Sequence, residues 1–147
     1  MKPISFLINV AVDTLSHVKL LLKSLRQNLV EPDRHEILIF LDSDNEGTLE
    51  YLEAQKQNFK DLKIITHRLL PCVGYARNNN LLVEMAKNEI VSYLQSDMVV
   101  SPNYDVDILK DLKKNQILSA TRIEPPLHGG GFEKIVANFG VDPEIFE

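Results

Sequence analysis

The chain opens with a compact apolar run, Ile4 to Val10 (ISFLINV), too short for a free-standing helix and rich in β-branched residues. It predicts a strand buried on both faces. Val18, Leu21, Leu22, Leu25 and Leu29 then recur at helical spacing, with Asp13, Thr14 or Ser16 available as the cap. Glu36 to Leu41 (EILIFL) reads as a second buried strand, and Thr48 to Asn58 as a polar-faced helix anchored by Leu49 and Leu52. Leu62 to Thr66 (LKIIT) predicts a third strand nearer an edge, and Asn78 to Lys87 a helix with Leu81, Leu82, Met85 and Ala86 on one face. Ile90 to Leu94 (IVSYL) predicts a fourth strand. Ser101-Pro102 opens a helix through Val106, Leu109 and Leu112, and Ile117 to Thr121 (ILSAT) reads as a weaker fifth strand.

Strand and helix alternate in units of roughly 30 residues, which implies right-handed crossovers. The expected fold is therefore α/β: a three-layer α/β/α arrangement with a mostly parallel central sheet. The tail breaks the pattern, because Pro125, Pro126 and Gly129 to Gly131 cannot propagate regular structure, and a loop is expected there. The expected organisation is one α/β domain over residues 1–122 and a Pro/Gly-rich segment over 123–147, with no internal sequence repeat.

Composition narrows the setting. With 147 residues, 44% of them hydrophobic, the chain can bury roughly two thirds of its unfolded surface without staples. Cys72 stands alone, which excludes an intramolecular disulfide and fits a reducing compartment. No apolar run approaches the roughly 20 residues of a membrane span, and the first residues lack a signal peptide's charged head and cleavage site, so the expected location is cytoplasmic. Sixteen basic against 21 acidic side chains give a formal charge of -5, so no general attraction to nucleic acid or anionic lipid is expected.

In open parallel sheets, ligands bind outside the carboxyl ends of the strands. There the first strand runs to Asp13, the second to Asp42 and Asp44, and the fourth to Asp97, placing three acidic sites along one edge. The alternative is that these residues cap the helices that follow. Asp42 to Gly47, with Glu53 beyond, also imitates a calcium loop, but that loop needs a helix before it and EILIFL has no polar helical face. His17, His35 and His67 show no pairing with Cys or carboxylates at ligand spacing. No G-x-S-x-G, Walker loop or G-x-G-x-x-G is present, so hydrolase, kinase and dehydrogenase readings lack support.

Three segments taken in order, LDSDNEGT, VGYARNNN and SYLQSDMVVSPNY, resemble the family 2 glycosyltransferases of the GT-A fold over about the first 110 residues. The resemblance implies a Rossmann-like GT-A nucleotide-binding architecture. It implies a nucleotide-diphosphate sugar as donor and an acceptor of unspecified class (saccharide, lipid or protein). It implies a divalent cation, Mn²⁺ or Mg²⁺, to assist departure of the nucleotide diphosphate. The family mechanism it carries is inverting displacement, with an acidic residue deprotonating the acceptor hydroxyl.

Residue by residue, the resemblance puts Asp42 on the nucleoside and Asn9 to Asp13 (NVAVD) in the loop that packs on the base, with Val10, Val12 and Asp13 as its donor-binding residues and without the family's usual Pro and aromatic residue. Gly74, Arg77 and Asn78 fall in the G-x-A-R-N segment: Gly permits close backbone approach at a helix start, and Arg supplies a cation for the diphosphate. The alternative for Arg77 is a structural ion pair with Asp42 or Asp97. The D-x-D motif reads Gln95-Ser96-Asp97, so Asp97 becomes the metal carboxylate while Gln95 replaces the first acid. His128, in the tail, matches a His that reaches the metal in some GT-A enzymes; a plain surface residue is the alternative. The catalytic base is unassigned, although Glu124 and Glu133 are the nearest acids to the tail loop. Two functional readings stand: a small transferase, completed by a second copy or a partner chain, and a non-catalytic or truncated nucleotide-sugar-binding module.

Overall fold

A computed structural model describes residues 1–10, 15–42, 47–66, 74–118, 123–124 and 135–136. Four strands, β1 (Ile4–Val10), β2 (Glu36–Leu41), β3 (Leu62–Thr66) and β4 (Ile90–Gln95), form one sheet in the order β3-β2-β1-β4. Every pairing is parallel, with Ile8 opposite Ile39 on one side and Leu94 on the other. The helices are α1 (Leu15–Asn28), α2 (Thr48–Gln55), α3 (Tyr75–Met85) and α4 (Tyr104–Asp111). A 3₁₀ turn at Pro32–Arg34 leads into β2.

Period-two alternation in the strands splits the core into two layers. Ile4, Phe6, Ile8, Val10, Ile37, Ile39, Leu41 and Leu94 pack with α1 through Val18, Leu21, Leu22 and Leu25, and with Leu52 of α2. On the opposite face Leu7, Leu38, Phe40 and Ile65 pack with Leu82 of α3. The three-layer mostly parallel arrangement expected from the alternation is thus the observed one. The second layer stops short of β4, where Val91, Tyr93 and Gln95 are exposed.

Several local expectations need correction. Helix α3 begins three residues before its expected start at Asn78, and Met85, placed on its inner face, is exposed. Helix α4 begins at Tyr104 rather than at Pro102, and Val106 is exposed while Leu109 packs on the core. The fifth strand does not form at Ile117 and Leu118, which lie exposed outside any strand; 119–121 fall outside the described residues. Within the tail expected to be loop, β5 (Ile123–Glu124) and β6 (Ile135–Val136) pair in parallel. No described helix is long and apolar enough to cross a membrane.

The amino edge of the sheet is closed by buried charge. His35 Nδ1 accepts the Ile4 N–H at 3.1 Å, and Nε2 lies 3.1 Å from Asp105 Oδ2 of α4. Asp105 also accepts the backbone N–H groups of Val30 and Glu31. Burial pushes the Asp105 carboxyl up, but these donors outweigh it and hold the group below its ordinary 3.8. Beside it, Glu36 accepts from Ser5 Oγ, Lys63 Nζ and the Lys87 N–H. Burial again raises the carboxyl, and the three donors pull it below its ordinary 4.5. Every one of these carboxylate oxygens has a structural partner, so neither Asp105 nor Glu36 is free for a ligand.

Candidate functional site

The carboxyl edge differs. Strand β1 ends at Val10, whose side chain turns into the core and whose carbonyl accepts the Asp42 N–H at 2.9 Å. That bond extends the β1–β2 ladder by one residue and sets Asp42, partly buried, against the end of β1. Because β2 precedes Asp42, the helix a calcium loop requires is absent.

Glycine supplies the next turn. Gly47 enters α2 at φ 73° and ψ 25°, the left-handed region. Gly74 enters α3 at φ 101° and ψ 163°, a combination that is essentially glycine-only. A Cβ at Gly74 would meet nothing within 4 Å, so the demand for Gly is conformational rather than steric. The turn leaves Tyr75, Ala76 and Arg77 exposed in the first turn of α3 while Asn78 is buried. No ion pair joins Arg77 to Asp42 or Asp97, so the structural pairing considered for it is not formed.

Strand β4 delivers the last group. Gln95 is exposed, Ser96 buried and Asp97 exposed, in a turn where the Met98 N–H donates to the Gln95 carbonyl at 3.2 Å. The chain beyond is pinned to α1: the Val100 N–H donates to Ser24 Oγ, and Asn28 Nδ2 donates to the Val100 carbonyl. The Asn103 N–H reaches the Asn28 carbonyl at 2.8 Å, and Asn103 itself occupies the cap position of α4. Asp97 therefore caps no helix, and its carboxylate is left facing solvent at the strand end.

The structure thus brings Val10, Asp42, Gln95, Ser96 and Asp97 to the carboxyl ends of the strands. Gly74, Arg77 and Asn78 lie at the start of α3, which packs over β1 and β2. Val12, Asp13 and Asp44 lie outside the described residues, as do His67 and His128. Among the described residues no three His, Cys, Asp or Glu side chains gather into a metal-holding group.

Asn79 escaped the sequence reading as a site group, and Asn9 entered it only as the start of the NVAVD segment. Asn9, next to last in β1, donates through Nδ2 to Asn79 Oδ1 of α3. The available signal was a polar residue in an apolar strand four places from Ser5, hence on the same face.

The family model described as glycosyl transferase family 2 matches residues 14–133. The chain belongs to glycosyl transferase family 2. No curated protein matches it by sequence. Among solved structures it is similar to Staphylococcus aureus TarS 1-349, at 20% identity and TM-score 0.64, over 75% of this chain and 32% of that one. The same protein in complex with UDP-GlcNAc aligns at 21% identity and TM-score 0.62, over 75% of this chain and 30% of that one. The mannosyltransferase PcManGT from Pyrobaculum calidifontis, solved with GDP-Man and Mn²⁺, aligns at 13% identity and TM-score 0.60, over 70% and 30%. These likenesses establish the GT-A fold. The chain spans about a third of the length of these structures.

As a family 2 member, the chain carries the G-x-A-R-N segment on a turn whose geometry requires its glycine. At the end of β4 the neutral Gln95 and the carboxylate of Asp97 are both exposed.

Proposed function

We propose that this family 2 domain binds a nucleotide-diphosphate sugar along the carboxyl edge of its sheet and transfers the sugar to an acceptor hydroxyl with inversion. The observation that carries the reading is the contrast between edges: buried carboxylates at the amino edge are fully engaged, whereas Asp97 and Arg77 at the other are exposed and have no ion-pair partner among the described residues. Asp42 accepts from the nucleoside, and Arg77 faces the diphosphate from the first turn of α3. In the transfer, an acceptor oxygen bonds to the anomeric carbon as the bond to the diphosphate oxygen breaks. The electron pair leaves with the nucleotide, and the acceptor proton passes to a base.

One exposed carboxylate at Asp97 suits a hard divalent ion that completes its shell with water and phosphate oxygens, as Mg²⁺ does and Mn²⁺ can. Such an ion supplies Lewis-acid stabilisation of the departing diphosphate. Asp97 would hold it, while Gln95 contributes no charge, so metal affinity depends on the nucleotide being present. The TarS and PcManGT complexes with UDP-GlcNAc and with GDP-Man and Mn²⁺ support a donor of this class.

A second reading, a donor-binding module without turnover, is favoured by the neutral Gln95 standing two residues before Asp97, where the resemblance expects a first carboxylate. Incubation with a panel of nucleotide sugars, with and without Mn²⁺, separates the two. Metal-dependent nucleotide release supports transfer or hydrolysis at this edge; saturable binding without release supports the module; neither release nor binding refutes both.

A further inference from the structure

Strand β4 forms one margin of the sheet, and among the described residues no strand adjoins its outer side. A free margin is a template for another strand, and folded proteins blunt it with charge, proline or a bulge. The opposite margin follows that rule, since β3 carries Lys63, whose ammonium holds Glu36. Strand β4 has none of these devices. It reads IVSYLQ, without charge or proline, and its register with β1 runs from Ile90 to Gln95 without a bulge.

Its outward face is apolar as well. Val91 and Tyr93, register partners of Ser5 and Leu7, continue the second core layer past β1, yet they stand 36% and 48% exposed. A β-branched and an aromatic side chain stabilise a sheet when they meet across two strands. A second β4, antiparallel about a two-fold axis through Ser92, makes that meeting twice, with Val91 opposite the second copy's Tyr93 and Tyr93 opposite its Val91. The same register sets Ile90 opposite Leu94 on the other face and Glu89 opposite the neutral Gln95. Moving the axis to Tyr93 would set Glu89 against the second copy's Asp97, two like charges, and moving it to Val91 would set Glu89 against Tyr93. Side-chain chemistry thus selects the axis at Ser92.

We propose that the outer side of β4 docks a second copy of this chain, joining two four-stranded sheets into one continuous sheet through an antiparallel β4 pair. The two-fold axis sends the carboxyl edges of the two sheets in opposite directions, so the site on each copy stays open. A ladder of 6 residues is smaller than a standard protein interface. Association is therefore weak and concentration-dependent, with a dissociation constant of roughly 10–100 µM.

The test is sedimentation equilibrium of the full chain over a range of about 1–500 µM, comparing wild type with Val91→Lys and Tyr93→Lys. The wild type is expected to show a monomer–dimer equilibrium that each lysine weakens by roughly tenfold or more. Both positions are exposed, so the substitutions leave the core intact. Hydrogen exchange on the wild type adds a check that needs no variant: the β4 amides pointing away from β1 should gain protection as concentration rises. A monomer throughout the range overturns the proposal. So does a dimer that both variants leave unchanged, since it would lie on another surface. Slow exchange of those amides in the monomer overturns it as well, because another segment of this chain would then cover the strand.

Discussion

His35 and Asp105, 70 residues apart in sequence, meet at 3.1 Å with both side chains closed off from solvent. The contact bolts α4 to the amino ends of β1 and β2, because the same imidazole accepts the Ile4 N–H and the same carboxylate accepts those of Val30 and Glu31. Asp105→Ala strands these donors in a dry site. A loss of about 3 kcal/mol in unfolding free energy is expected by urea denaturation. Nucleotide affinity of the folded variant should be unchanged, since the site lies at the other edge.

Acid should act through the same edge. Asp105 and Glu36 are both held below their ordinary values of 3.8 and 4.5. A depressed carboxyl contributes stability that is fully present above its unfolded value and is lost as pH falls through the folded one. Melting temperature should therefore fall only below about pH 4.5, and Asp105→Asn should flatten the acid limb while lowering the plateau. A melting temperature independent of pH down to about pH 3 would contradict the two buried networks.

Gly74→Ala forces a side chain into φ 101° and ψ 163°. It should cost about 1–3 kcal/mol, measured by the denaturation midpoint, and should weaken nucleotide binding by shifting the first turn of α3. Gly47→Ala, in the milder left-handed region, should cost about 1–2 kcal/mol.

The four strands were legible because each is a short apolar run, and their order along the chain implied the parallel sheet. Boundaries set by single turns were less so: the apolar spacing of α3 begins at Leu81, whereas its start is set by the backbone of Gly74. The ILSAT run shows the limit of pattern reading, since an apolar segment announces a strand without showing whether a partner strand adjoins it. Ile117 and Leu118 are exposed. Pairings between distant residues were invisible to local spacing. His35 was set aside for want of a nearby carboxylate, and its partner lies on α4. At the site, Asp42, Gly74, Arg77 and Asp97 could be placed from strand ends and the motif. The link between Asn9 and Asn79 could not, because it joins β1 to α3 across 70 residues of sequence.

Arg77→Ala should lower affinity for a nucleoside diphosphate by roughly tenfold or more while leaving that for the corresponding nucleoside unchanged. Equal losses for both would remove Arg77 from the diphosphate.

The central claim is that a nucleoside diphosphate binds at the carboxyl edge with a cation on Asp97. Calorimetric titration with UDP and GDP, with and without Mn²⁺, on wild type and Asp97→Ala tests it most directly. The expected result is saturable one-site binding of at least one nucleotide, strengthened by Mn²⁺ in the wild type and insensitive to Mn²⁺ in Asp97→Ala. Binding of neither nucleotide, or an Mn²⁺ effect that survives in Asp97→Ala, would contradict it.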